Sequence, residues 1–394
     1  MQIVIIQSVA GFSRSGEAGG GEFHLHKLAS QWKKLNNDII LFTNESDFGM
    51  DSYKKYDKII TLPTISSSGV EGVMTLKIYL QWIIQLRKVL KHLDVLRNVD
   101  NLIIIAGSPW ASDIIISGIL GRLLNRKCFV YFHFIYPPPF WYSVERGGIF
   151  ITTTKWLHSR VSLSLAKFFG STPILDHPST FDSDFWGFGK QVLNDDDFLD
   201  SIPNSLAVRN KNIICFIAKN DPAKGIYDLP RIVNYLKDSI QDVKLIIGGS
   251  IPDGKIKSKL QEEIHRYGIE EYIEIRGFMK EEEKVDLLER SKIFVFPSYE
   301  DSWSLAVMEA ASYCCLPVTY DLPAYDYLGS SSVKVQISDT RKMANIISEL
   351  LSDEIKRQNI AIKAREAVIK YRLENIAQYQ LEFFVRNADV EIKR

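Results

Sequence analysis

The sequence predicts a parallel, doubly wound α/β architecture in two Rossmann-like domains, on three observations. The chain has 394 residues, more than one ordinary hydrophobic core organises and enough for two domains of common size. Short apolar runs alternate with amphipathic stretches long enough for crossover helices, as parallel strands buried on both faces require. Small polar loops follow several of these runs, at the carboxyl ends of strands where an open α/β sheet binds its ligand.

In the first half, strands are expected at 3–7, 39–42, 58–62, 102–105 and 129–132, with a helix over 22–35 after the first. The stretch 76–96 is helical and strongly apolar, yet carries Lys77, Arg87, Lys88, Lys91 and Arg97. It reads either as a core-facing amphipathic helix, the commoner case, or as one that touches a membrane surface. In the second half, strands are expected at 213–218, 243–248, 272–275, 293–296 and 316–320. Between the halves, 187–210 holds Asn194-Asp195-Asp196-Asp197 and Ile202-Pro203-Asn204 without apolar periodicity, which marks it as the boundary. The expected domains are therefore 1–190 and 205–370. A terminal segment, 371–394, follows a bend at Tyr371-Arg372 and is expected to pack its helix back on the first domain.

Composition narrows the function classes. Apolar residues make up 46% and charged residues 24%, as in soluble globular proteins. Lys plus Arg and Asp plus Glu are both 48, so charge gives no case for a nucleic-acid partner. Cys128, Cys215, Cys314 and Cys315 form no Cys-x-x-Cys unit or Cys/His cluster, which argues against structural zinc and fits a reducing compartment. The first nine residues are apolar without a basic leader and read as a buried strand. No apolar run reaches the ~18 residues of a membrane span. The expectation is a cytoplasmic protein, free or at the inner face of a membrane.

Four constellations carry chemistry. In the run from Pro297 to Pro317, the loop with Asp301, Ser302, Trp303 and Ser304 opens a helix at Leu305, so its N–H groups offer an anion site. Glu309 lies one turn beyond Leu305, placed to accept hydrogen bonds from a ribose diol. The ordinary alternative makes Asp301 or Ser302 an N-cap, Trp303 a core aromatic and Glu309 a solvated side chain. The loop before the first helix contains Gly19, Gly20 and Gly21, which permit close backbone approach to a ligand or simple flexibility, and its spacing is not the dinucleotide fingerprint. Lys219 and Lys224, in Ala218-Lys219-Asn220-Asp221-Pro222-Ala223-Lys224-Gly225, suit a diphosphate, against the alternative of a solvated turn. His133 falls at the end of an apolar strand, where a lone histidine is more often a core residue. The Pro137-Pro138-Pro139-Phe140-Trp141-Tyr142 run after it is an acceptor-binding loop or rigid packing.

The order and spacing of these pieces resemble the retaining GT-B glycosyltransferases, in particular glycosyltransferase family 4, the group 1 transferases. Gly20 and Gly21 match the family's Gly-Gly loop, and Lys219 and Lys224 its Arg and Lys five residues apart. Gly277-Phe278-Met279 matches the base-contacting segment, and Asp301 to Glu309 the Glu-x7-Glu signature. Five positions depart from the pattern: Asp301 stands at the first acidic position unless Glu300 shifts in, Lys219 replaces Arg and loses the bidentate fork, Ser302 and Ser304 replace glycines, and Cys314 stands where Gly is usual.

The resemblance implies a GT-B fold, two domains facing across a cleft, and a nucleotide-diphosphate sugar as donor without metal or other cofactor. It implies a glycan or lipid-linked acceptor, transfer with retention, and a role in envelope or exopolysaccharide synthesis. Lys219, Lys224, Gly21 and the N–H groups of Trp303, Ser304 and Leu305 would stabilise the leaving diphosphate. His133 and Asp301 would contact the transferred sugar, Met279 the base and Glu309 the ribose. A GT-B epimerase and a catalytically silent nucleotide-sugar-binding subunit are the competing readings.

Overall fold

The structure is a computed structural model that describes residues 1–8, 20–44, 56–63, 76–108, 110–132, 148–175, 187–188, 209, 211–220, 222–251, 254–301 and 304–388. The chain divides into two compact units, Met1–Val192 with Leu373–Arg394, and Leu193–Arg372.

In the first unit, β1 (Gln2–Gln7), β2 (Asp38–Asn44), β3 (Lys58–Leu62), β4 (Leu102–Ala106), β5 (Cys128–Phe132), β6 (Thr172–Leu175) and β7 (Gly187–Phe188) form one sheet, ordered β3-β2-β1-β4-β5-β6-β7. Every described pairing in it is parallel. Its helices are α1 (Gly20–Lys34), α2 (Leu76–Leu90), α3 (Leu93–Arg97), α4 (Ala111–Leu124) and α5 (Gly148–Phe169). Because strand side chains alternate, Val4, Ile6, Phe42 and Ile104 meet Val89 of α2 and Ile116 and Leu120 of α4 on one face.

The second unit repeats the plan with β8 (Ile213–Ile217), β9 (Lys244–Gly248), β10 (Ile273–Gly277), β11 (Ile293–Phe296), β12 (Leu316–Tyr320) and β13 (Val333–Val335), ordered β10-β9-β8-β11-β12-β13. Its helices are α6 (Asp228–Leu236), α7 (Gly254–Tyr267), α8 (Glu281–Arg290), α9 (Leu305–Ser312), α10 (Thr340–Ser352) and α11 (Glu354–Ile369). In each sheet the winding reverses beside the first strand, between β1 and β4 and between β8 and β11. An open α/β sheet has its crevice at that reversal.

The last helix, α12 (Leu373–Ala388), returns to the first unit, on the face opposite α2 and α4. Trp32 Nε1 of α1 donates to the Ala377 carbonyl at 3.2 Å, and the Tyr131 hydroxyl to Gln380 Oε1 at 2.7 Å. Phe384 packs edge-on against Trp32 and at a tilt against Phe129, with ring centroids 5.7 and 4.7 Å apart.

Several expectations change. Strands β6, β7 and β13 had no periodic signature: β6 carries Pro173, and β7 and β13 are two and three residues long. Strand β7 falls inside the stretch read as linker. The single helix expected over 76–96 is two, because His92 leaves helical geometry at φ −101° and ψ 5°. Gly20 and Gly21 lie within the first turn of α1 rather than in the loop before it.

The first sheet's reversal is closed by Asp113, fully buried near the start of α4. Its carboxylate accepts from the Ser8 N–H at 2.6 Å and the Ser108 hydroxyl at 2.5 Å, and also from the Ser8 hydroxyl. It thereby ties the ends of β1 and β4 to one helix. Burial pushes this carboxyl up from the ordinary 3.8 to about 6, against the lowering effect of Ser108 and Ser8. A folded value above the unfolded one means that its contribution is complete below pH 3.8 and is lost as pH rises through about 6. The loss amounts to about 3 kcal/mol. Asp113→Asn keeps an acceptor for Ser8, so urea midpoints across pH 3.5 to 7, the range set by that linkage, are expected to lose this component relative to wild type while the fold is kept.

Candidate active site

The second sheet's reversal brings together the loops after β8 and β11. Gly225 has φ +76°, and a Cβ there would lie 1.9 Å from the Pro297 carbonyl oxygen, so only glycine permits the approach. The loops are then knitted together. The Ala223 carbonyl accepts from the Tyr299 N–H at 2.9 Å and the Ser298 hydroxyl at 3.3 Å. Asp228, buried at the start of α6, accepts from the Tyr299 and Tyr320 hydroxyls at 2.6 and 2.7 Å.

This seam places Lys224. Its ammonium donates to the Glu300 carbonyl at 2.9 Å, lies 3.5 Å from Asp301 Oδ2, and sits 5.9 Å from the centre of the Phe296 ring. Asp301 also faces the Tyr325 hydroxyl at 3.5 Å. Burial, ahead of the Asp301 carboxylate, holds the Tyr325 and Tyr327 phenols well above the usual tyrosine range, so both stay protonated donors. Glu300, the alternative first acidic residue, meets Lys224 through its backbone, whereas Asp301 does so through its carboxylate.

Beyond Asp301, Ser304 caps α9: its hydroxyl accepts from the Val307 N–H at 3.4 Å, and its carbonyl accepts from Tyr327 at 3.3 Å. Leu305 and Ala306 open the helix, and their N–H groups have no intrahelical acceptor. Glu309 pairs with Lys284 of α8 at 3.1 Å, a partner the sequence reading did not name. Met279 follows β10, and its sulfur would meet a Cβ on Gly248 at 2.5 Å, which keeps the segment against the end of β9.

Lys219 is exposed after β8 and is not drawn into the Lys224–Asp301 contacts. Its neighbour Asn220 is fully buried and ties β8 to the next strand, donating from Nδ2 to the Gly249 carbonyl at 2.8 Å and from its N–H to the Ser250 carbonyl at 2.9 Å. Gly20 and Gly21 open α1 in the first unit. His133, Ser302 and Trp303 lie outside the described residues, as do the 9–19 loop and the proline and aromatic run. Lys284, Asn220, Tyr325 and Tyr327 carried no motif signal, because each acts on residues distant in sequence or on backbone groups.

Two units, each a parallel α/β sheet wound to both sides of its first strand, have the architecture of the GT-B fold. Solved structures share this fold over nearly the whole chain. HepE of Anabaena in complex with UDP is 16% identical, with a TM-score of 0.75 over 98% of this chain and 100% of that one. A glycosyltransferase of Rickettsia africae ESF-5 is 15% identical, with a TM-score of 0.71 over 98% of each. Residues 198–367 match the model of the family described as glycosyl transferases group 1. A curated relative is the N,N'-diacetylbacillosaminyl-diphospho-undecaprenol alpha-1,3-N-acetylgalactosaminyltransferase of Campylobacter jejuni subsp. jejuni. It is 27% identical over 190 residues, 46% of this chain and 46% of the relative, so the match spans about half the length of each.

Gly225→Ala tests the seam. The substitution adds an unfavourable positive φ to a backbone clash, and a loss of at least about 2 kcal/mol is expected in urea unfolding. Gly254→Ala, at a helix start with open space around the new methyl group, is the control and is expected to change stability by less than about 0.5 kcal/mol.

Proposed function

We propose that the chain is a retaining glycosyltransferase of the family 4 type, moving a sugar from a nucleotide-diphosphate sugar to a hydroxyl of a glycan or lipid-linked acceptor. The observation that carries this reading is the pairing of Lys224 with Asp301 just before the N-terminus of α9, within the stretch that matches the group 1 family model.

In this reading the nucleoside diphosphate lies along the second unit. Lys224 and Lys219 stabilise the charge that develops on the leaving diphosphate, with Gly21 and the N–H groups of Trp303, Ser304 and Leu305 as further donors. A helix N-terminus holds that charge by its free donors and its dipole, without a metal. Departure of the diphosphate leaves oxocarbenium character on the sugar, and the acceptor hydroxyl attacks from the same face. Asp301 binds the sugar hydroxyls, with its carboxylate already oriented by Lys224 and Tyr325, and His133 lies near the reacting carbon. Glu309 accepts from the ribose, and the Gly277-Phe278-Met279 segment borders the base.

HepE has been solved with UDP and glucose, and with UDP-glucose, which supports a nucleotide-sugar donor. The Campylobacter relative is named for transfer to a diphospho-undecaprenol-linked sugar, which supports a lipid-linked acceptor; the role in envelope or exopolysaccharide synthesis rests on the family resemblance. A surface of the first unit fits such an acceptor. The chain is neutral overall, yet residues 76–170 hold twelve Lys and Arg against four Asp and Glu. Helix α2 and its continuation α3 expose Ile83, Ile84 and Val95 alongside Arg87 and Lys91, the composition of a face that lies on an anionic membrane. Among the described residues no helix is long and apolar enough to cross one.

Lys224→Ala and Glu309→Ala are each expected to lower transfer from a nucleotide sugar by on the order of 10²-fold or more with the circular dichroism spectrum unchanged, and wild-type turnover is expected to survive EDTA. Full transfer by both variants would remove the site assignment. Conversion of donor without acceptor would identify an epimerase, and binding without turnover a silent subunit. For the membrane face, the triple change Arg87→Ala, Lys88→Ala, Lys91→Ala is expected to weaken partitioning onto phosphatidylglycerol vesicles by about 10²-fold, at about 1 kcal/mol for each basic group. Binding to neutral phosphatidylcholine vesicles is expected to stay unchanged.

A further inference from the structure

The Lys284–Glu309 pair is weak evidence of a role in stability: its two side chains are 16% and 17% exposed, and the cost of taking two charges out of water offsets most of their attraction. Its position is more informative. Lys284 lies in the first turns of α8, directly after the Gly277-Phe278-Met279 segment, while Glu309 lies in the second turn of α9, whose N-cap Ser304 comes three residues after Asp301.

The two helices are clamped at their far ends by Arg209. This buried guanidinium donates to the Glu289 carbonyl of α8 at 2.6 Å, and to the Tyr313 and Cys314 carbonyls beyond α9 at 2.7 and 2.8 Å. At the start of α8, the Lys280 N–H donates to Glu283 Oε2 at 2.8 Å and fixes the first turn. The ammonium and the carboxylate are therefore held 3.1 Å apart by backbone anchors on both sides, which reduces the entropy normally lost in fixing two long side chains.

We propose that Lys284 is a positioning residue for ribose recognition, holding the Glu309 carboxylate in the orientation that accepts from the ribose hydroxyls and offsetting its charge beside a bound diphosphate. The proposal rests on the glycosyltransferase reading above. An uncompensated carboxylate near the α9 N-terminus would repel the diphosphate that the same terminus attracts. With Lys284 in place the local charge is balanced, and Glu309 keeps lone pairs for the 2′- and 3′-hydroxyls.

The test compares ribose with 2′-deoxyribose. Dissociation constants of UDP, GDP and ADP and of their 2′-deoxy forms are measured by titration calorimetry on the full chain, for wild type and the variants Lys284→Met, Lys284→Gln, Lys284→Arg and Glu309→Gln. For the base that binds best, wild type is expected to prefer the ribonucleotide by about tenfold, the worth of one hydrogen bond to a charged acceptor. Lys284→Met and Lys284→Gln are expected to bring the ratio to within about twofold, as Glu309→Gln does, and Lys284→Arg to restore most of it. A lysine that only bolted α8 to α9 would weaken both nucleotides equally and leave the ratio untouched. That result, or a wild-type ratio near one, would overturn the proposal. Absence of binding by wild type to any of the six nucleotides is a separate outcome, which sinks the glycosyltransferase reading and the proposal with it. Should Lys284→Met fail to fold, Lys284→Gln and Lys284→Arg carry the same comparison.

Discussion

The second unit's site hangs on one close approach, the turn at Gly225 lying against the carbonyl of Pro297. Strands β8 and β11 are neighbours, with Ile214 opposite Ile293 and Cys215 opposite Phe294, so the loops after them leave the sheet side by side. A side chain at Gly225 would force the loops apart, and the bonds from Ala223 to Ser298 and Tyr299 would be lost with the contact. Lys224 reaches Glu300 and Asp301 only because its backbone is held there.

The polar groups on this seam are held before any ligand arrives. Asp301 has Lys224 and Tyr325 about it, the Ser304 carbonyl has Tyr327, and Glu309 has Lys284. Each contact adds little to stability, since ion pairs and hydrogen bonds at this depth largely replace equivalent ones with water. In the transferase proposed above their effect is on reorganisation, because dipoles and charges already in place need not be moved as charge develops on a departing group. In the first unit Asp113 plays a different part, joining two strand ends to a helix at the cost of burying a carboxyl group.

The long apolar strands were legible in sequence because burial on both faces demands uninterrupted Val, Ile, Leu and Phe. Strands β3, β11 and β12 have the expected bounds, and most others differ by one or two residues. The strands that escaped notice, β6, β7 and β13, are short edge or near-edge pieces whose pairing is set by the neighbouring strand rather than by their own pattern. The positive φ of Cys314, 53°, is one that glycine adopts most readily, which fits the glycine expected there from the family resemblance. Likewise the motif located Glu309 but not Lys284, because 25 residues and a strand separate them and Glu281-Glu282-Glu283-Lys284 reads as a solvated helix face. Asp113 carried no motif at all, its role arising only when β1 and β4 come together.

The return of α12 to the first unit has a consequence for synthesis. Trp32 and Tyr131 find their partners in Ala377 and Gln380, 345 and 249 residues later, whereas the second unit is a single continuous stretch. On the ribosome, the first sheet therefore emerges with Trp32, Phe129 and Tyr131 uncovered and stays so while some 240 further residues are made, at about 5–20 residues per second. For that interval the first unit is an incomplete core with an apolar face open to chaperones or to misfolding. Vectorial folding, from N-terminus to C-terminus, can finish the second unit before the first.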